Sequence, residues 1–161
     1  MLITIIAVVG TLLGGLAGAA TSGWFALRTA SRAEAAAERQ QLRRDRLEAV
    51  TALATAISDH RRTMWMRGEA LLKGAAADRV LELKQESHAT RAAVARPLIS
   101  LRLLVPDPAV RTAADAMVTA TYALRGAYSD IGTLAQARVH AMDAHDAFVE
   151  QAAAYLTTTT T

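Results

Sequence analysis

The stretch VTALATAISDHRRTMWMRGEAL, residues 50–71, decides the fold. Its stripe positions Val50, Leu53, Ile57, His60, Met64, Arg67 and Leu71 are separated by alternating steps of three and four residues. That spacing is the period of an α-helix with one buried face, and it does not fit the two-residue alternation of a half-buried strand. The run stops near Gly74, a residue suited to cap a helix C-terminus.

The same pattern continues downstream. Val80, Leu83, Ser87, Thr90, Val94, Leu98 and Leu101 form a second stripe, with Pro97 expected to kink or stop its helix. The sequence Val105-Pro106-Asp107-Pro108 then breaks the chain, and Asp107 as N-cap with Pro108 at the first helical position starts a third helix. Val110, Ala114, Met117, Thr121 and Leu124 line its face. Gly126, Ser129 and Gly132 mark a turn, and the stripe Ile131, Leu134, Arg138, Ala141, His145, Phe148, Ala152 and Tyr155 defines a fourth helix. Short connections make neighbouring helices antiparallel. The expectation is an all-α, up-down-up-down four-helix bundle over residues 47–156, followed by a disordered tail at 157–161.

Composition agrees. The hydrophobic fraction of the 161 residues is 52% but aromatics supply only 4%, so the apolar content is mostly Ala, Leu and Val. This favours close-packed helices over a sandwich. The absence of cysteine excludes disulfides, cysteine-ligated metals and thiol catalysis.

Upstream, residues 2–27 carry no charged side chain. As a helix the run is about 39 Å long, against about 30 Å of bilayer hydrocarbon, so it predicts a single transmembrane anchor over 1–27. Trp24 occupies an interfacial position. The region Gly18-Ala19-Ala20 resembles a signal-peptidase site, but no Lys or Arg precedes the apolar run, which favours a retained anchor. Gly10, Gly14, Gly18 and Ser22 recur every four residues, a stripe that lets two helices approach closely and predicts a homo-oligomer through this helix. The alternative is ordinary Gly usage in such a segment.

Charge is unevenly placed. Between residues 28 and 46, Arg28, Arg32, Arg39, Arg43, Arg44 and Arg46 face only Glu34, Glu38 and Asp45, so the formal net charge of +3 resides there, and the remainder of the chain is balanced. The segment predicts a basic juxtamembrane helix in contact with membrane lipids. By the positive-inside rule the protein is expected in the cell membrane, single-pass, with its N-terminus outside and its bundle cytoplasmic. A charge-balanced bundle gives no support for specific nucleic-acid binding.

Chemistry is sparse. Folding the helices back at their turns places His60, Thr90 or Arg91, Thr121 and Arg138 at similar heights. They form either an anion or ligand site lined by Arg91 and Arg138, or a hydrogen-bonded layer that fixes register. His140, Asp143, His145 and Asp146 have metal-ligand spacing, but no Glu-x-x-His pattern accompanies them, so no metal and no cofactor are expected. Glu86 and His88 occupy different helix faces. No phosphate loop, nucleophile elbow or zinc-protease motif occurs, and no enzyme activity is expected. Trp65 is either core or, if it faces outward, an anchor for a protein partner.

Three strings, SDHRRTMW (58–65), SHATRAAVARPL (87–98) and DPAVRTAADAMVTATYALR (107–125), together with the apolar start, resemble the KilB-like proteins of actinomycete plasmids and chromosomes. The resemblance runs over most of the chain, to about residue 156. It implies a small membrane-associated protein linked to intermycelial plasmid spread after conjugative transfer, with plasmid-transfer proteins as possible partners; it supplies no site residues. The reading is a membrane-anchored interaction protein. Its alternatives are a ligand-responsive sensor bundle that binds a small anion, and a holin-like membrane-permeabilising protein.

Overall fold

The computed structural model describes residues 2–158, with side chains described for Arg28 and for residues 32–158. The described chain is all helical: α1 (Leu2–Leu72), α2 (Ala77–Leu104), α3 (Pro108–Ala123), a 3₁₀ turn (Leu124–Ala127) and α4 (Ile131–Thr158). It divides into two compact units, residues 1–42 and residues 43–161.

The membrane part of the sequence expectation is corrected. Among the described residues no helix is long and apolar enough to cross a membrane. The described side chains of unit 1 begin at Arg28 and include Arg32, Glu34, Glu38 and Arg39, charges spaced too closely for any window there to stay apolar. The transmembrane element of the fold, and the single-pass localisation with a cytoplasmic bundle that rested on it, do not stand on the described structure. The stripe of Gly10, Gly14, Gly18 and Ser22 lies outside the residues whose side chains are described.

Unit 2 is a four-helix bundle formed by the C-terminal part of α1 with α2, α3 and α4. Contacts fix its antiparallel order. Arg46 reaches the Leu104 carbonyl while His60 meets Thr90, so α1 and α2 run in opposite directions. Arg102 pairs with Asp115 while Arg91 lies over Tyr122, which does the same for α2 and α3. Ser58 meets His145 and Arg61 meets the Ala141 carbonyl, closing α4 back on α1.

Local signals place the helix ends. At Gly74 the chain takes a left-handed φ of 66°, and the Ala75 amide reaches back to the Ala70 carbonyl at 2.9 Å, satisfying an end carbonyl that the helix leaves open. Asp107 Oδ1 accepts from the Val110 amide at 2.9 Å ahead of Pro108. Asp130 Oδ1 accepts from the Thr133 amide at 2.8 Å, and the Thr133 hydroxyl, followed by this amide, lowers the Asp130 pKa. Pro97 does not stop α2, which continues to Leu104 with Val94 and Leu101 buried on either side of it. Helix α4 continues through Thr157 and Thr158, whose hydroxyls donate to carbonyls one turn back.

The core has two parts. One collects Val50, Leu53, Ile57, Val94, Leu101, Val105, Val110, Ala114, Met117, Phe148 and Ala152, with all four helices contributing. The other collects Met64, Ala120, Leu124, Ala127, Leu134 and Ala141, and none of its buried members comes from α2.

Candidate functional site

A cavity of about 290 Å³ opens between α1, α2 and the α3 end of the bundle. His60, Met64, Arg67, Lys84, Ser87, His88, Arg91, Tyr122 and Arg125 line it. Its floor is buried: His60 is 2% exposed and Ser87 4%. Lys84, His88, Arg91 and Arg125 form an exposed rim. No carboxylate lines it.

The floor is held by a hydrogen-bond chain. Thr63 Oγ1 donates to the Asp59 carbonyl at 2.7 Å, which leaves its oxygen to accept from the Thr90 hydroxyl, and the Glu86 carbonyl, 3.1 Å from Thr90 Oγ1, is the other acceptor for that proton. The two hydroxyls are 3.0 Å apart, and His60 Nδ1 lies 3.0 Å from Thr90 Oγ1. The edge of the His60 ring meets Tyr122 at a centroid distance of 5.4 Å. Burial, and then the charge of Arg91, lower the His60 pKa from 6.5 to about 4, so the imidazole is neutral at pH 7.

The polar layer expected from sequence is therefore split. His60, Thr90 and Arg91 come together around Tyr122. Arg138 does not join them: it stacks over Trp65 at 4.7 Å, in a separate groove between α1 and α4 that Arg61 and Met142 also line. Burial and Arg138 lower the Arg61 pKa. Thr121 is fully buried with its hydroxyl unpartnered. Trp65 is half-buried beneath Arg138. Of the basic run, Arg28, Arg32, Arg39, Arg43 and Arg44 are exposed, whereas Arg46 donates to the Leu104 carbonyl at 2.9 Å and lies over Tyr155.

Sequence reasoning missed Arg67, Lys84, His88 and Arg125. Arg67 and Ser87 fall on the buried stripes, and two polar residues at such positions on adjoining helices are the available signal.

One further array imitates a catalytic triad. Ser58 Oγ is 3.3 Å from His145 Nε2, and His145 Nδ1 is 3.2 Å from Asp146. Ser58 and His145 sit inside α1 and α4, whose amides are committed to helical bonds. No amide pair is left to stabilise an oxyanion beside Ser58. The array ties α4 to α1. Among the described residues no cluster of three or more His, Asp or Glu side chains is arranged to hold a metal ion.

Fold and site together define a small helical-bundle protein with a cationic cavity and no assembled catalytic centre among the described residues. The sequence pattern of the KilB plasmid transfer protein family matches residues 47–156, which are the bundle. The chain is also 42% identical over 154 residues to Protein KilB of Streptomyces lividans, an alignment covering 95% of this chain and 97% of that one. The chain belongs to the KilB plasmid transfer protein family. No solved structure matches it.

Proposed function

We propose that this chain is a non-enzymatic interaction protein of plasmid transfer, acting in the spread of a conjugative plasmid through a recipient mycelium. The observation that carries this reading is the extent of the family match, which covers the bundle from residue 47 to residue 156. That the match spans the whole bundle supports a part for the bundle in that role. Its surface supports contact with another protein: Val139, Met142 and Val149 are exposed on α4 at helical spacing, which puts them on one face. Exposed apolar side chains gathered on one face fit a contact surface better than singly scattered ones do.

The test uses a conjugative plasmid in an actinomycete host, with the gene intact, deleted, or carrying Val139→Asp and Met142→Asp. The readout is the area of recipient growth that acquires the plasmid. Deletion is expected to shrink that area, and the double variant, accumulating to normal levels, is expected to shrink it too. An unchanged area on deletion would contradict the proposed role.

A further inference from the structure

We propose that the cavity between α1, α2 and the α3 end of the bundle binds a small phosphorylated anion, held by Arg67, Lys84, Arg91 and Arg125. These four cations come from three elements and converge on one space of about 290 Å³ with no carboxylate in its lining. Among the described residues none of the four cavity cations pairs with an acidic side chain, whereas Arg62, Lys73, Arg79 and Arg102 do. From residue 47 onward the chain is charge-balanced, so the excess at this cavity is a matter of placement. Gathering like charges around a low-dielectric floor is unfavourable unless an anion joins them.

Arg67 carries a second, independent sign. Its Nε is buried and has no acceptor, and its Nη1 reaches Ser87 Oγ only at 3.4 Å. The long Nη1 contact leaves that N–H able to turn to an oxyanion in the cavity. Stacking pre-positions two of the guanidinium groups. Arg91 lies over the Tyr122 ring at 4.5 Å and Arg67 over the Tyr128 ring at 5.9 Å. A cation over an aromatic face is drawn there by the ring quadrupole, and its N–H groups remain able to donate to a ligand.

The ligand class follows from charge and shape. Guanidinium forks match phosphoryl oxygens in pairs, and a group carrying two or more negative charges neutralises this site better than one carboxylate does. The volume lies near the lower end of small-molecule pockets, about 300 Å³. The recessed floor, where Arg67, Ser87 and His60 sit, favours a free small molecule over the backbone of a polymer lying across the rim.

The test is calorimetric titration of the full-length chain with pyrophosphate and with inorganic phosphate, against potassium citrate and potassium chloride at matched ionic strength. Saturable binding of pyrophosphate is expected, stronger than that of phosphate, with citrate weaker and chloride without effect. Arg91→Gln is expected to weaken pyrophosphate binding by about tenfold, a loss of roughly 1.4 kcal/mol. Arg138→Gln, in the other groove, leaves binding unchanged. Arg67→Gln removes the guanidinium charge at the floor and is expected to weaken binding further; because Arg67 is half-buried, the rim pair Lys84→Gln with Arg125→Gln provides a variant whose folding is not at stake. No saturable heat at millimolar pyrophosphate, equal binding of citrate, or binding indifferent to Arg91→Gln and to the rim pair would overturn the proposal. The readout is independent of plasmid spread, so either proposal can fail alone.

Discussion

At the end of the bundle where α2 turns into α3, all four helices meet over apolar side chains. At the end where α1 turns into α2, the second core collects side chains of α1, α3, the 3₁₀ turn and α4, α2 adds Leu83 and Ser87 as buried residues, and a cation-lined cavity opens beside them. Between them lies the hydrogen-bonded layer of His60, Thr63 and Thr90. The difference teaches how one short chain divides its labour. Stability is concentrated where apolar packing is continuous, and the cations gather where the buried face of α2 turns polar at Ser87.

The largest expected effect lies at the apolar end. Phe148 is fully buried against side chains from the other helices. Phe148→Ala should destabilise the bundle by about 3–5 kcal/mol, read from the urea midpoint.

The polar layer comes next, through pH. His60 has its folded-state pKa lowered to about 4 from an unfolded value of 6.5, so below pH 6.5 the unfolded chain binds more protons than the folded one. The stability that neutral His60 permits is present above pH 6.5 and is lost as pH falls toward 4. The loss is up to about 3 kcal/mol. His60→Leu should flatten this limb of the stability profile, and an unchanged slope would place the titrating group elsewhere.

A smaller effect is expected at the cavity end. The Tyr128 hydroxyl donates to the Met64 carbonyl at 2.8 Å, and its ring lies directly on Gly68, where an added Cβ would sit 2.6 Å from a ring carbon. Gly68→Ala should displace the ring and cost about 1–3 kcal/mol in thermal or urea unfolding. The smallest effect has the opposite sign. Thr121→Val removes a buried hydroxyl that has no partner and should stabilise the fold by about 1 kcal/mol.

Local features were legible in the sequence. The four stripes, the Gly74 end and the Asp107–Pro108 start follow from rules that act within one or two turns, and the structure places them accordingly except at stripe members Leu71, Ile131 and Arg138, which are exposed. The 3₁₀ turn was not legible. It buries Leu124 and Ala127, so packing carries the chain past the point where α3 ends. Pro97 was read as a kink or stop because a local rule says so, but buried Val94 and Leu101 hold α2 helical on both sides of it.

The site was legible in height and illegible in azimuth. Counting residues from the turns gives the level of each side chain, which is why His60 and Thr90 meet. It does not say which groove a side chain enters, which is why Arg138 was grouped with Arg91 although it stacks on Trp65 instead. The uncharged run at residues 2–27 was read by hydropathy alone, and the described structure provides no membrane-spanning helix to support that reading.

Native-state hydrogen exchange along α2 tests the difference between the two ends most directly, because one helix samples both. Amides at Val94, Leu98 and Leu101 should exchange only through global unfolding, while those at Ser87, His88 and Arg91 should exchange at least about tenfold faster through opening of the cavity end. A single common rate from Ser87 to Leu101 would contradict the account.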